Sequence, residues 1–233
     1  MVPFPAPLTS ERCPLCGTAL APFFQRGPRD PSPGDYQRCP GCTLVVLERA
    51  AWPDPAFERR YYRTHENHPD DPGYLRFLER LVQPLRKACP PPARGLDWGC
   101  GPHPVLADRL RALGYEMAAW DPVFGPPRPP VGKLDFITCT EVLEHLHQPL
   151  AELRAMAAHL QAGGMIAIMT GWVPPAHRFR TWHYRRDPTH VALYGPDSLR
   201  WTARHLGWEV TFPGPDVAIF HLPPDRRTTP PEL

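Results

Sequence analysis

Two groups of ligand-type residues stand out in this 233-residue chain. The first is a pair of Cys-x-x-Cys motifs, CPLC (Cys13, Cys16) and CPGC (Cys39, Cys42), with 22 residues between them. Each motif makes a tight knuckle offering two thiolates to one ion, and two knuckles complete the closed tetrahedral shell that structural zinc prefers. Gly17 and Gly41 suit the knuckle turns. Four protein ligands leave no open position, so such a zinc clips a fold and performs no chemistry. Two disulfides or separate buried thiols are the alternative. The second group is the run TEVLEHLH, Thr140 to His147, behind the apolar LDFITC.

A helix beginning near Glu141 would place residues i, i+3 and i+4 on one face, so Glu141, Glu144 and His145 would converge. Val142, Leu143 and Leu146 would turn inward, and His147 would lie off that face. Three readings are open: a carboxylate–imidazole site for Mg, Mn or Zn, a metal-free acid/base pair, or acidic residues that merely favour a helix start. A later stretch, RTWHYRRDPTH, gathers His183, Tyr184, Arg185, Arg186, Asp187 and His190. Arg185 and Arg186 are of the type that grips a phosphate or carboxylate. Trp182, Tyr184 and Trp201 are candidate pocket walls. The helix after this stretch should be capped near Asp197 or Ser198. Upstream, Tyr61, Tyr62, His65 and His68 sit in a polar stretch that either covers a neighbouring site or is a solvated linker.

The elements that must position these groups begin at residue 94. RGLDWGCGPHPVLADRLRAL reads as a strand ending at Asp97, a turn with Gly99, Cys100 and Gly101, and an amphipathic helix carrying Val105, Leu106, Leu110 and Leu113. A second strand, YEMAAWD, ends at Asp121, 24 residues beyond Asp97. In a doubly wound sheet the first turn is where a nucleotide-bearing ligand approaches the backbone, and the spaced acid receives ribose hydroxyls. An adenosine-bearing ligand is the expectation. LDFITC and MIAIM read as further strands, whose carboxyl ends place TEVLEHLH and RTWHYRRDPTH at the same ligand edge. GYLRFLERLVQPLRKAC has Leu75, Leu78, Leu81, Val82 and Leu85 at helical spacing and reads as a packing helix. Cys89, Cys100 and Cys139 have no partner spacing and read as small buried thiols.

Together LDWGCGPHP, the acid of AAWDP, LDFITCTEVLEHLHQP and LQAGGMIAIMT resemble the class I S-adenosylmethionine-dependent methyltransferases over residues 94 to about 221. That resemblance implies an α/β, Rossmann-like sheet of seven strands. It implies Asp97, Gly99, Cys100, Gly101, Thr140 and Glu141 around the cofactor, with Asp121 on its ribose. His103 stands where the third glycine of the turn is usual. The knuckle CPGCTLVVL resembles the zinc module of certain sugar methyltransferases. EVLEH resembles ubiquinone-type and small-RNA 2′-O-methyltransferases, in which the matching residues, here Glu141, Glu144, His145 and His190, can hold a divalent ion. Glu144, His145 and His190 are the implied catalytic unit.

Composition narrows the partners. Lys+Arg 26 against Asp+Glu 24 leaves a net charge of +2, so no field directs the chain to nucleic acid or a membrane surface. The basic residues other than Lys87 and Lys133 are arginines, and the 35 prolines punctuate joints such as CPPPAR and FGPPRPP. The amino terminus lacks a basic region followed by an apolar one, which suggests a cytoplasmic protein. The expected organisation is a zinc-ribbon module over 1–50, a linker and packing helix over 51–93, and a methyltransferase domain over 94–233. The expected activity is methyl transfer to the O, N or C of a small-molecule or carrier-linked metabolite. An RNA methyltransferase with an RNA-gripping ribbon, or a binding protein without turnover, are the alternatives. Nothing in the sequence speaks to oligomeric state.

Overall fold

A computed structural model describes residues 11–64, 69–130 and 132–224. His65 and His68 lie outside the described residues. The chain opens with three short strands, β1 (Ala21–Phe24), β2 (Tyr36–Arg38) and β3 (Val45–Leu47), paired antiparallel in that order. Helix α1 (Pro55–Tyr62) follows, started by Asp54, whose carboxylate accepts from the N–H groups of Ala56 and Phe57. Tyr61 and Tyr62 therefore belong to its last turn. Helix α2 (Pro72–Ala88) is capped by Asp71 with Pro72 at its first position, and Leu78, Leu81, Val82 and Leu85 form its buried stripe.

The main sheet is built from β4 (Arg94–Trp98), β5 (Glu116–Trp120), β6 (Leu134–Thr140) and β7 (Leu160–Met169), separated by α3 (Val105–Ala112) and α4 (Pro149–His159). A short helix α5 (Ala176–Phe179) and a two-residue strand β8 (Ala192–Leu193) precede α6 (Pro196–Leu206), β9 (Glu209–Thr211) and β10 (Val217–His221). The sheet order is β5-β4-β6-β7-β10-β9, parallel from β5 to β7, with β10 antiparallel to both neighbours. Six strands are present among the described residues where seven were expected. The segment after β5 carries Pro122, Pro126, Pro127, Pro129 and Pro130, which cannot donate to a ladder, and β5 is left as the sheet edge.

Alternation along each central strand supplies both faces of the core. Ile137, Cys139, Ile166 and Ile168 pack on one side with α4 and α6, while Phe136, Ala167 and Met169 pack on the other against α2 and α3. Helix α6 starts at Gly195, whose N–H donates to Ser198 Oγ, so the cap lies just ahead of the expected Asp197 or Ser198. The amino-terminal strands are not a separate bead. β8 adds to β3 as the fourth strand of their sheet, and Cys13, Leu15, Cys39 and Leu44 share a continuous core with Leu96 and Ile137. No helix among the described residues is long and apolar enough to cross a membrane.

Candidate functional site

The carboxyl ends of β4, β5 and β6 open into a cavity of about 780 Å³. Its floor is the turn after β4. Gly99 and Gly101 have φ of 76° and 67°, a region that side chains with a Cβ rarely adopt. A Cβ on Gly99 would strike Val142 Cγ2 at 2.5 Å, whereas one on Gly101 would meet nothing within 4 Å. The first glycine is thus required for packing, and the second keeps backbone accessible to a ligand.

Asp97, 4% exposed, accepts a 2.7 Å hydrogen bond from Thr138 Oγ1, and burial pushes its carboxyl up to about 6. Asp121 is tied into the same turn: its carboxylate accepts from Gly101 N at 2.9 Å, Val123 N at 2.7 Å and Phe124 N at 3.1 Å. Thr140 Oγ1 is buried without a hydrogen-bond partner. Asp97, Gly99, Cys100, Gly101, Asp121, Thr140 and Glu141, the residues expected around a cofactor, all line the cavity. Cys100 and Cys89 are half-buried, where buried thiols were expected; Cys139 is fully buried.

TEVLEHLH does not begin a helix. Glu141 sits at φ 53°, a left-handed conformation costly for a residue with a Cβ, and only Leu143–His145 form a single 3₁₀ turn. The i, i+3, i+4 face therefore does not exist. Glu141 lines the cavity, and burial, then the neighbouring Glu144, pushes its carboxyl up to about 9. Val142 packs on Gly99, and Leu143 is buried. His147 turns away to Glu58, at 3.2 Å, and to the ring of Trp52.

What the left-handed turn achieves is to aim Glu144 inward, behind the cavity wall, with none of its surface exposed. Glu144 Oε2 accepts from Thr170 Oγ1 at 2.8 Å, and Oε1 accepts from the Tyr184 hydroxyl. The two histidines of the cluster are oriented from behind. His145 Nδ1 lies 3.0 Å from the Thr189 carbonyl and His190 Nδ1 lies 2.7 Å from the Tyr184 carbonyl. A carbonyl only accepts, so both Nδ1 atoms carry a proton, and Nε2 is the ring atom each histidine turns toward Glu144. Each Nε2 is 3.9 Å from Glu144 Oε1, and one ligand atom from each of the three residues falls within 4.8 Å of the others. Burial pushes the His190 imidazole down from its ordinary range.

The same cavity is walled by Tyr61 and Tyr62 of α1, Tyr74 and Phe77 of α2, and Tyr184. Asp187 also faces it. Burial alone would raise the Asp187 carboxyl, but His190 and the Thr189 hydrogen bonds hold it below the ordinary range. Neither Tyr74 nor Phe77 stood out in a helix that reads as packing only, although their i, i+3 spacing at its open end was available as a signal. Nothing in the sequence marks Thr170 or Tyr184 as partners of Glu144.

Arg185 is a correction. It is 1% exposed and grips no ligand; Nη1 and Nη2 donate to Asp30 Oδ1 at 2.6 Å and Oδ2 at 3.0 Å. Arg186 is exposed at the cavity rim. Of the aromatic candidates, Tyr184 lines the cavity, Trp182 stacks on Tyr184, and Trp201 stacks instead on His205 of α6.

The four cysteines gather as their spacing implies. Cys13 and Cys42 sulfurs are 3.5 Å apart, Cys16 and Cys39 3.2 Å, and one sulfur from each of the four lies within 4.8 Å of the rest. The contact with Cys42 pulls the Cys13 thiol down to about 5, while Cys13 in turn pushes Cys42 up. Sulfurs this close do not all ionise without a cation among them.

A methyltransferase-domain family model matches residues 65–211. Ubiquinone biosynthesis O-methyltransferase of Xanthomonas campestris pv. campestris is 29% identical over 129 residues, covering 44% of this chain and 53% of the relative. The chain thus spans about half the length of the curated relatives it matches. Burkholderia thailandensis 1,6-didemethyltoxoflavin-N1-methyltransferase, solved with 1,6-didemethyltoxoflavin and S-adenosylhomocysteine, superimposes with a TM-score of 0.55. That match has 15% identity and covers 77% of this chain and 96% of the other, a likeness of fold. The family match extends across both the glycine turn and the carboxylate–imidazole cluster, and the chain belongs to the methyltransferase-domain family, with the class I S-adenosylmethionine-dependent fold.

Proposed function

We propose that this chain transfers the methyl group of S-adenosylmethionine to a hydroxyl oxygen of a small molecule, at a divalent-ion site formed by Glu144, His145 and His190. The observation that carries this reading is a single cavity with the glycine turn on one wall and the imidazoles of His145 and His190 on another. Gly101 would admit the methionine part to the backbone, Asp121 would receive the ribose hydroxyls, and the unpartnered Thr140 Oγ1 is free to bond a polar group of the cofactor.

The donor set fits a divalent ion. Two imidazoles tied at Nδ1 and one oriented carboxylate leave positions open toward the cavity, the pattern of a catalytic and not a structural site. When bound, such an ion lowers the pKa of a nearby hydroxyl so that it ionises near neutral pH. The chain's own contribution is positional. Thr170 and Tyr184 hold the Glu144 carboxylate, the carbonyls of Thr189 and Tyr184 hold the rings, and the aromatic wall from α1 and α2 limits acceptor size and water access. As the methyl carbon leaves sulfur its new bond forms to the acceptor oxygen, S-adenosylhomocysteine is the leaving group, and the hydroxyl proton is released to solvent. Catalysis then rests on alignment, which is worth several powers of ten in rate.

The cysteine cluster supports zinc. Ligand sulfurs around a tetrahedral zinc at ~2.3 Å stand about 3.8 Å apart, close to the observed separations, and closure of the shell implies a structural role.

Calorimetry with S-adenosylmethionine and S-adenosylhomocysteine, followed by Mn²⁺ titration monitored by electron paramagnetic resonance, tests both halves. His190→Ala should weaken Mn²⁺ at least ~10-fold, the scale for loss of a metal-site group, and leave S-adenosylhomocysteine affinity within about twofold. Chelation should abolish turnover on a panel of small hydroxylated acceptors, and Mg²⁺ or Mn²⁺ should restore it. Failure to bind either cofactor form would sink the methyltransferase reading, and indifference to chelation would sink the metal.

A further inference from the structure

The amino-terminal cysteine module makes its interdomain contacts beside the carboxylate–imidazole cluster. β3, three residues past Cys42, pairs with β8 so that Val45 faces Leu193 and Val46 faces Ala192. The pairing continues one step further as Leu47 N donates to the Val191 carbonyl at 3.0 Å, and Val191 N donates to the Glu144 carbonyl at 3.0 Å. A backbone relay thus runs from the module through Val191, the neighbour of His190, to Glu144.

A second connection is made by side chains. Asp30 takes both terminal nitrogens of the buried Arg185, and the Tyr36 hydroxyl donates to the Arg185 carbonyl at 2.7 Å. Arg185 is itself anchored by Nε to the Phe179 carbonyl at 2.8 Å. Its chain neighbour is Tyr184, whose hydroxyl bonds Glu144 and whose carbonyl receives His190 Nδ1. Tyr194 is buried as well, and burial, then the charges of Glu144, Cys13 and Cys42, push its hydroxyl up.

Glu144 and His190 are each held by a group adjacent in sequence to a contact with the module, and His145 is held by Thr189, one residue before His190. We propose that the amino-terminal module is the positioning element of the Glu144–His145–His190 cluster, and that Asp30 and Tyr36 are positioning residues acting through Arg185 and Tyr184. The proposal rests on the reading of that cluster as a divalent-ion site. A two-residue strand and a loop stretch have little rigidity of their own, so their geometry is set by what they pair with. The module, clipped through its cysteines, supplies that template.

The test uses the full chain with Asp30→Asn, Tyr36→Phe and the charge-retaining Asp30→Glu. Three readouts are the Mn²⁺ dissociation constant, the S-adenosylhomocysteine dissociation constant, and the ring ¹³Cε1 resonances of His145 and His190, with His205 and His221 as references. Asp30→Asn should weaken Mn²⁺ about tenfold, the range for a group that orients metal ligands, and Tyr36→Phe by a smaller factor, with Asp30→Glu recovering part of the loss. Cofactor affinity and zinc content should stay at wild-type values, and only the His145 and His190 resonances should move. If Asp30→Asn does not fold, Tyr36→Phe carries the decision. Wild-type ring resonances in folded variants overturn the proposal. Should the native chain bind no Mn²⁺, the metal reading falls separately, and displacement of the two ring resonances still decides whether the module positions the cluster.

Discussion

The two ligand clusters differ in closure. Cys13, Cys16, Cys39 and Cys42 face one another in the interior of the amino-terminal module, three of them buried, with no side open to the cavity. Glu144, His145 and His190 offer one donor fewer, and the two rings border the cavity. The first arrangement would saturate an ion and return its binding energy as fold stability; the second would leave room for a ligand beside an ion. Chemistry follows from the donor that is missing.

The largest expected effect breaks the closed cluster. Cys39→Ser should lower zinc from one per chain to near zero by elemental analysis. Its midpoint of thermal unfolding should fall by about 10–20 °C, the equivalent of roughly 5 kcal/mol for a chain of this size. A wild-type midpoint without zinc would show that the module needs no clip.

A change outside both clusters should separate the cofactor from either ion. Asp121→Ala should weaken S-adenosylmethionine by roughly 1.5–3 kcal/mol by calorimetry, the scale for hydrogen bonds to a charged group, while zinc content and Mn²⁺ affinity remain. Because Asp121 also ties down the N–H groups of Gly101, Val123 and Phe124, a modest loss of thermal stability should accompany it. Unchanged cofactor affinity would remove Asp121 from the site.

The smallest effect concerns the acid beside the open cluster. Burial, then the neighbouring Glu144, pushes the Glu141 carboxyl from an ordinary 4.5 up to about 9. Between those values the folded chain holds a proton that the unfolded chain has released, so stability declines as pH rises through that window. Glu141→Gln, neutral throughout, should flatten the decline and raise the melting midpoint at pH 8 by about 2–4 °C per kcal/mol recovered. A variant that follows the wild-type pH curve would show that Glu141 is charged in the folded chain.

Legibility followed the range of the interaction. The glycine turn was readable because strand, turn, helix and spaced acid lie within one stretch, and Asp97, Gly99, Gly101 and Asp121 do meet at one cavity. The cysteine cluster was readable because two short knuckles need only be brought together once. The Glu-x-x-Glu-His run was readable as chemistry but not as geometry. Its residues suit a helix start, yet Val142 must pack on Gly99 and Val191 must bond the Glu144 carbonyl, and those contacts impose the left-handed turn at Glu141.

Sequence by itself determined the ligand types, the alternating and helical periods that build the parallel part of a covered sheet, and the edge at which the ligands collect. Tertiary structure alone decided that Arg185 is a buried strut to Asp30 across 155 residues, and that Tyr184 meets Glu144 across 40. It also decided that β8 completes the sheet of the cysteine module. Periodicity and spacing report on neighbours along the chain, whereas the aim of a buried carboxylate is set by whichever distant groups satisfy its hydrogen bonds, and burial makes that satisfaction compulsory.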